Sequence, residues 1–290
     1  MAVLQVKQER NESESLFKWF QNRTMNANKN VILAVVGNPG SGKSYSCLRI
    51  LEKQSQLLNR PVNINNCCRD LKEFINRINS GELKAGDVLV LEEVGVNASA
   101  RQWQSLMNNL FNYLLQTFRN LNLIVLLNLP DIRMLDINAQ RLLHGVISTK
   151  GVDLDNKITQ ISLKIRQHNF QNHKDYWKYL RVKIVKDKRI RKIKRFTLNK
   201  PSDELCTIYE SRRNEFTRKL NKEILAKIDA FNKKKDEDKG KPKLTFRQQQ
   251  IYDLNIDEQT NEQIAEQLRL SVHTIRNTLE AIKVKGYIIY

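Results

Sequence analysis

Residues 37–44 read Gly37-Asn38-Pro39-Gly40-Ser41-Gly42-Lys43-Ser44, directly behind the apolar run Val31 to Val36. That run is short and unbroken, as in a strand buried on both faces of a parallel sheet. Glycines let a backbone turn tightly and bring its N–H groups up to phosphate oxygens, and a helix beginning near Lys43 adds the positive end of its dipole. Gly, four residues, then Gly-Lys-Ser is the Walker A pattern of a phosphate loop. In that pattern Lys43 reaches the β- and γ-phosphates and the Ser44 hydroxyl ligates Mg²⁺. Gly37, Asn38, Pro39, Gly40, Ser41, Gly42, Lys43, Ser44 and Tyr45 are then the nucleotide-binding residues, with ATP and Mg²⁺ as the ligands.

A second motif follows at Asp87-Val88-Leu89-Val90-Leu91-Glu92-Glu93. Four apolar residues make a buried strand, and two carboxylates stand at its C-terminal end, where open α/β sheets bind ligands. We assign Glu92 to the Mg²⁺ water shell and Glu93 to activation of the attacking water. A third strand, Leu123 to Leu127, ends in Asn128. An amide there can hydrogen-bond both phosphate and water, although an Asn so close to Pro130 also fits a turn. Arg133 and Arg141 come next, the latter on a helix capped by Asp136. Either is a surface arginine or one that completes a neighbouring subunit's site, and Arg141 is the better placed.

Outward from these motifs the pattern alternates strand and helix. Leu16, Phe17, Trp19 and Phe20 mark a short amphipathic helix. Helices are expected at Tyr45–Leu58 and Asp70–Ile78, with a short strand at Val62–Ile64 between them and another strand at Val146–Ser148. A helical period through Trp103, Leu106, Met107, Leu110, Phe111, Leu114 and Leu115 fills the stretch from Arg101 to Asn120. Residues 151–200 carry 15 Lys and Arg against four Asp. Alternation at Ile161, Leu163 and Ile165, and within Tyr176–Val185, predicts an antiparallel pair. Tyr176, Trp177 and Tyr179 among those cations suit a nucleic-acid backbone, while a solvated charge run fits the composition as well.

Pro201 and Ser202 open a long helix, and residues 232–243 form a polar linker containing Gly240 and Pro242. The final 47 residues make three short helices, with Thr260 and Ser271 as caps. Ala265 permits a close crossing, and Ile264, Leu268, Leu270, Ile275 and Leu279 fill the core. His273, Thr274, Arg276, Asn277 and Lys283 then lie on the outer side of the last helix, residue types that read base edges or hold phosphate. The other use of such a module is protein binding.

The predicted class is α/β. Its parts are an N-terminal helix and linker (1–30), a parallel-sheet phosphate-loop core (31–150), a basic β extension (151–200), a helical connector (201–231), a flexible linker (232–243) and a small all-α helix-turn-helix domain (244–290). A net charge of +19 over 290 residues calls for a polyanion partner, nucleic acid before an anionic membrane surface. Cys47, Cys67, Cys68 and Cys206 form no Cys-x-x-Cys pair, which argues against zinc and a disulfide framework. The start of the chain turns at once to Glu9, Glu12 and Glu14, and the most apolar run, Leu121 to Leu129, is too short to span a bilayer. A soluble, cytoplasmic protein is expected.

Two resemblances add to this. Leu244 to Leu254 with Asn261 to Leu279 resembles the DNA-binding helix-turn-helix of LuxR-type regulators and sigma factors, with Arg269 where those proteins usually have Gly in the turn. A non-Gly residue there costs roughly 1 kcal/mol and loosens the turn. Residues 15 to 200 resemble P-loop ATPases of the FtsK/HerA assemblage, in particular the Zot-like ATPases of viruses and mobile elements. The motifs that carry it are Gly37–Ser44, Val88–Val96, Arg101-Gln102-Trp103, Gln116–Pro130 and Gln140–His144, in that order. Those relatives usually have Asp-Glu where this chain has Glu92-Glu93. The resemblance implies a hydrolase: an oligomeric, ring-shaped ATPase acting on double-stranded DNA, with Arg141 inserted into a neighbour's site. Competing readings are an ATP-controlled DNA-binding regulator or loader, and a phage-assembly ATPase.

Overall fold

The computed structural model describes residues 4–6, 12–92, 121–135, 137–184, 190–237 and 242–289. Its contacts divide the chain into two compact units, Met1–Ser211 and Arg212–Tyr290.

The first unit is a mixed α/β structure. Its described strands are β1 (Leu4–Val6), β2 (Val31–Val36), β3 (Cys67–Cys68), β4 (Val88–Leu91), β5 (Ile124–Leu129), β6 (Gly145–Asp153), β7 (Ile158–Asn169), β8 (Lys174–Ile184), β9 (Ile190–Ile193) and β10 (Phe196–Asn199). They form one sheet in the order β1-β8-β7-β6-β2-β5-β4-β3, with β10 joined to β7 and β9 to β8. The five strands β6, β2, β5, β4 and β3 run parallel. From β6 outward the pairing turns antiparallel through β7, β8, β9 and β10. The basic segment therefore continues the central sheet edge to edge.

Alternation along β2 explains its unbroken apolar sequence. Val31, Leu33 and Val35 face α1 (Glu12–Gln21) and α2 (Lys43–Leu57), packing with Phe20, Leu48 and Leu51. Ile32 and Ala34 face the other layer, with Phe74 and Ile78 of α3 (Leu71–Asn79) and Ala139 of α4 (Ile137–Leu142). Each fully buried Val, Leu or Ile contributes about 1.5–3 kcal/mol, so the alternating faces fix the register of the sheet. The four aromatic and aliphatic residues of α1, Leu16 to Phe20, lie in this core.

One expected strand is displaced. Val62–Ile64 does not pair: the Asn63 side chain accepts from Asn65 N at 2.9 Å and turns Ile64–Asn66 into a 3₁₀ segment. Such a local side-chain bond competes with a ladder, and pairing begins only at Cys67. The helical period expected over Arg101–Asn120 lies outside the described residues, as do Asp136 and residues 185–189.

The long helix α5 (Asp203–Glu237) starts in the first unit, where Leu205 and Tyr209 join the core. In the second unit α6 (Phe246–Ile256), α7 (Asn261–Leu268) and α8 (Val272–Val284) enclose Ile251, Tyr252, Ile264, Ala265, Ile275, Leu279 and Ile282. Capping boxes at Thr245/Gln248 and Thr260/Gln263 start α6 and α7, and Ser271 caps α8. Arg269 takes the left-handed conformation at φ 52°, and Leu270 N still closes onto Ala265 O at 2.9 Å. The turn keeps its hydrogen bond without glycine. Among the described residues no helix is long and apolar enough to cross a membrane.

Candidate functional site

The parallel strand β2 delivers the chain to Gly37, and α2 begins six residues later. Gly42 stands at its N-cap with φ 87°, a left-handed conformation that a side chain disfavours. A Cβ at Gly42 would also lie 2.7 Å from Val152 Cγ2, and one at Gly37 would run into Thr149 Oγ1. Beside Gly40 the space is open. The N-terminus of α2 has no acidic residue of its own in the first turn and no side-chain cap, an end that favours an anion. Lys43 curls over the loop, donating from Nζ to Gly37 O at 2.8 Å and Asn38 O at 3.1 Å. Ser41 Oγ lies 2.6 Å from Thr149 Oγ1, which also donates to Val36 O at 3.2 Å. Thr149 thus ties the loop to β6.

Three side chains from three elements meet beside the loop. Ser44 Oγ donates to Glu92 Oε2 at 3.0 Å. Asn128 Nδ2 donates to the same oxygen at 2.9 Å and reaches Ser44 Oγ at 3.2 Å. Glu92 N continues the β3–β4 ladder by donating to Cys68 O at 2.7 Å, which holds the carboxylate at the strand end. Glu92 and Asn128 are both buried, at 6 % and 1 % exposure. Asn128 Oδ1 has no hydrogen-bond partner among the described residues. Leaving such an oxygen unpaired costs about 1–3 kcal/mol, which a bound water or ligand donor would recover. Burial, and then the Glu92 carboxylate, push the Cys47 thiol well above its ordinary pKa and keep it inert.

The donor set fits a small hard cation. Mg²⁺ is bound by one or two protein oxygens plus substrate phosphates, and Ser44 Oγ and Glu92 Oε2 are adjacent oxygens at the mouth of an anion-favouring helix end. The cluster has one carboxylate among the described residues, and Glu93 lies outside them.

Other expected residues stand elsewhere. Tyr45 turns away from the cluster and donates through its hydroxyl to Glu210 Oε1 at 3.2 Å; burial, then Glu210, raise its pKa. Arg133 is folded onto Asp131 through two guanidinium bonds of 3.0 and 2.8 Å. Arg141 is exposed near the opposite end of the sheet: its carbonyl accepts from Arg166, and the following His144 pairs with Ile32 at the start of β2. From there to Gly37 is roughly 15 Å of strand, so Arg141 does not meet Ser44, Glu92 and Asn128 within one chain. His144 Nδ1 accepts from Ile32 N at 3.0 Å. Burial, then the Arg23 and Arg166 guanidiniums, lower its pKa to about 3, so the ring is neutral. No family model matches the chain. No curated protein matches it either.

On β8, the aromatic residues divide. Lys178 Nζ sits 5.5 Å from the Tyr176 ring centre and Lys164 Nζ 5.6 Å from that of Tyr179, whereas Trp177 packs against the core. Trp177 is thus a wall of the fold. In the second unit His273, Thr274, Arg276, Asn277 and Lys283 are all exposed along α8. His273 Nε2 and Asn277 Nδ2 lie 3.1 Å apart, and the Thr274 amide is held by Ser271 Oγ at 3.0 Å. Arg276 reaches Glu262 only at 4.0 Å, an exposed pair worth little, which leaves its guanidinium available to an anion.

Thr149 was missed by the sequence reading, and His144 entered it only as the last residue of the Gln140–His144 motif. Both act through side-chain bonds to residues more than a hundred positions away.

Proposed function

We propose that the chain is an ATP- and DNA-binding P-loop ATPase of the Zot-like, FtsK/HerA kind, with residues 244–290 as a helix-turn-helix that localises it on duplex DNA. The observation that carries this reading is the convergence of Ser44, Glu92 and Asn128 beside the Gly37–Ser44 loop. Loop amides and Lys43 bind the phosphates, and Ser44 with Glu92 holds Mg²⁺. Mg²⁺ held by these two residues would supply positive charge to offset that of the phosphates. Glu93 takes the proton of the attacking water, whose oxygen bonds the γ-phosphorus as the bond to the ADP oxygen breaks. Asn128 Oδ1, the unpaired acceptor, orients that water. Arg141 serves a neighbouring subunit in a ring, where charge builds in the transition state.

The test is ATP turnover with and without duplex DNA, for the wild type, Lys43→Ala and Glu93→Gln. The reading expects DNA-stimulated turnover in the wild type and its loss in both variants. Absence of turnover with ATP binding intact replaces the motor by an ATP-controlled regulator. Removal of residues 244–290 is expected to weaken DNA binding and flatten its salt dependence.

A further inference from the structure

β6 and β7 lie on the far side of β2 from the strands that carry Glu92 and Asn128. On that side, against the first turn of α2, is a cavity of about 230 Å³. Tyr45, Val152, Leu154, Thr159, Leu198 and Pro201 line it, drawn from α2, the β6–β7 hairpin and the end of β10. Its wall begins where the loop ends: Val152 and Thr159 are the residues that leave no room for a Cβ at Gly42. A chain of phosphates bound along the loop with its terminal group at Ser44, Glu92 and Asn128 therefore has its other end directed across Gly42 toward this cavity.

We propose that the cavity is the base subsite of the nucleotide. The proposal rests on the phosphate-loop reading above and extends it to the part of the ligand that the motif does not describe. Whole-ligand pockets run to roughly 300–1,000 Å³, so a space of this size suits one ring system, with the sugar and phosphates outside. The exposed lining surface is mostly apolar, although Asp153, Lys157, Asn199 and Lys200 also contribute to it. The Tyr45 ring is fixed by its hydroxyl bond to Glu210, and Ser46, another lining residue, has a buried hydroxyl with no partner among the described residues. Leu154 is 82 % exposed and forms a rim that an aromatic ring would cover. An apolar slot of this kind grips by contact area and reads ring edges poorly. It distinguishes purines from pyrimidines by size, and adenine from guanine only weakly.

The test is equilibrium binding of ATP, GTP, CTP and inorganic tripolyphosphate, each with Mg²⁺, to the full chain and to Lys43→Ala, Val152→Trp and Leu154→Ala. In the wild type ATP and GTP are expected to bind within a few-fold of each other, CTP more weakly, and tripolyphosphate at least about 10-fold more weakly than ATP. Val152→Trp fills the slot and is expected to cost ATP about 10-fold or more while sparing tripolyphosphate. Leu154→Ala, at a position folding does not depend on, is expected to cost about 3-fold, again for nucleotides alone. Lys43→Ala is expected to weaken every ligand. Lys43-dependent binding in which ATP gains nothing over tripolyphosphate overturns the base subsite and leaves the phosphate loop standing. So does an unchanged ATP affinity in Leu154→Ala. Failure of every ligand to bind the wild type overturns both.

Discussion

The two units build their polar clusters in opposite ways. Beside the Gly37–Ser44 loop, the contacts join Ser44 to Glu92, 48 residues on, to Asn128, 84 residues on, and Ser41 to Thr149, 108 residues on. In the second unit, the bonds that start α7 and α8 and orient His273 span three or four residues. The first arrangement exists only when the sheet has formed, because strand ends carry its members. The second is dictated turn by turn by caps and helical spacing. A long-range site can leave an oxygen such as Asn128 Oδ1 without a partner among the described residues, since the surrounding sheet supplies the stability that this costs. A local site on an exposed helix face stores no such deficit and offers side chains that water already solvates.

The contrast breaks most sharply at Glu92. Glu92→Gln keeps the volume but removes the charge that faces Ser44. Under the proposed ATPase function, turnover is expected to fall about 10²-fold or more, as when a preorganised charge is taken from a reaction centre, while duplex DNA affinity at fixed salt stays within about 2-fold. Turnover and DNA binding measured on the same preparation check this. Retained turnover would remove Glu92 from the metal role and break the long-range account of the site.

The same division explains what was legible beforehand. Glu92 could be read because the apolar run Val88–Leu91 ends on it, and Asn128 because it closes the next such run. Thr260 and Ser271 could be read as caps because capping chemistry is local. Thr149 could not. It matters through a bond to Ser41 and a bulge before Gly151, both products of β6 lying between β2 and β7. The cavity beyond Gly42 was equally hidden, since its walls come from residues 45, 152–159 and 198–201. Val62–Ile64 was misread for the converse reason: β-branched residues suggested pairing, and the side chain of Asn63 between them decided the local conformation.

At the other end of β2, His144 gives the long-range unit a pH dependence. Its pKa is lowered to about 3 from 6.5, so the folded ring is neutral where the unfolded ring takes up a proton. Stability from this contact is complete above pH 6.5 and is lost progressively as the pH falls from there toward 3. At about 1.4 kcal/mol per pH unit, unfolding free energy is expected to drop by about 2 kcal/mol between pH 7 and pH 5. His144→Asn retains an acceptor for Ile32 N and removes the titration, so its denaturation curves at pH 7, 6 and 5 are expected to lie closer together than those of the wild type. Equal pH dependence in both proteins would show that His144 is not the group responsible.

The smallest effect belongs to the local unit and has the opposite sign. Arg269 holds φ 52° and ψ 47°, a conformation that costs an L-residue roughly 1–2 kcal/mol and glycine almost nothing. Glycine also gains freedom in the unfolded chain, which offsets part of that relief. Arg269→Gly is therefore expected to stabilise the second unit by about 0.5–1 kcal/mol and to raise its melting temperature by roughly 2–8 °C. The hydrogen bond from Leu270 N to Ala265 O is already made in the wild type, so the gain is conformational and needs no new contact. Thermal unfolding of the full chain, followed by helical circular dichroism with ATP turnover in parallel, separates the units: the gain is confined to the second, and turnover without DNA is unchanged. A melting temperature that falls on losing Arg269 would mean that its side chain contributes more to the fold than its backbone strain costs, and that this turn is not set by local chemistry alone.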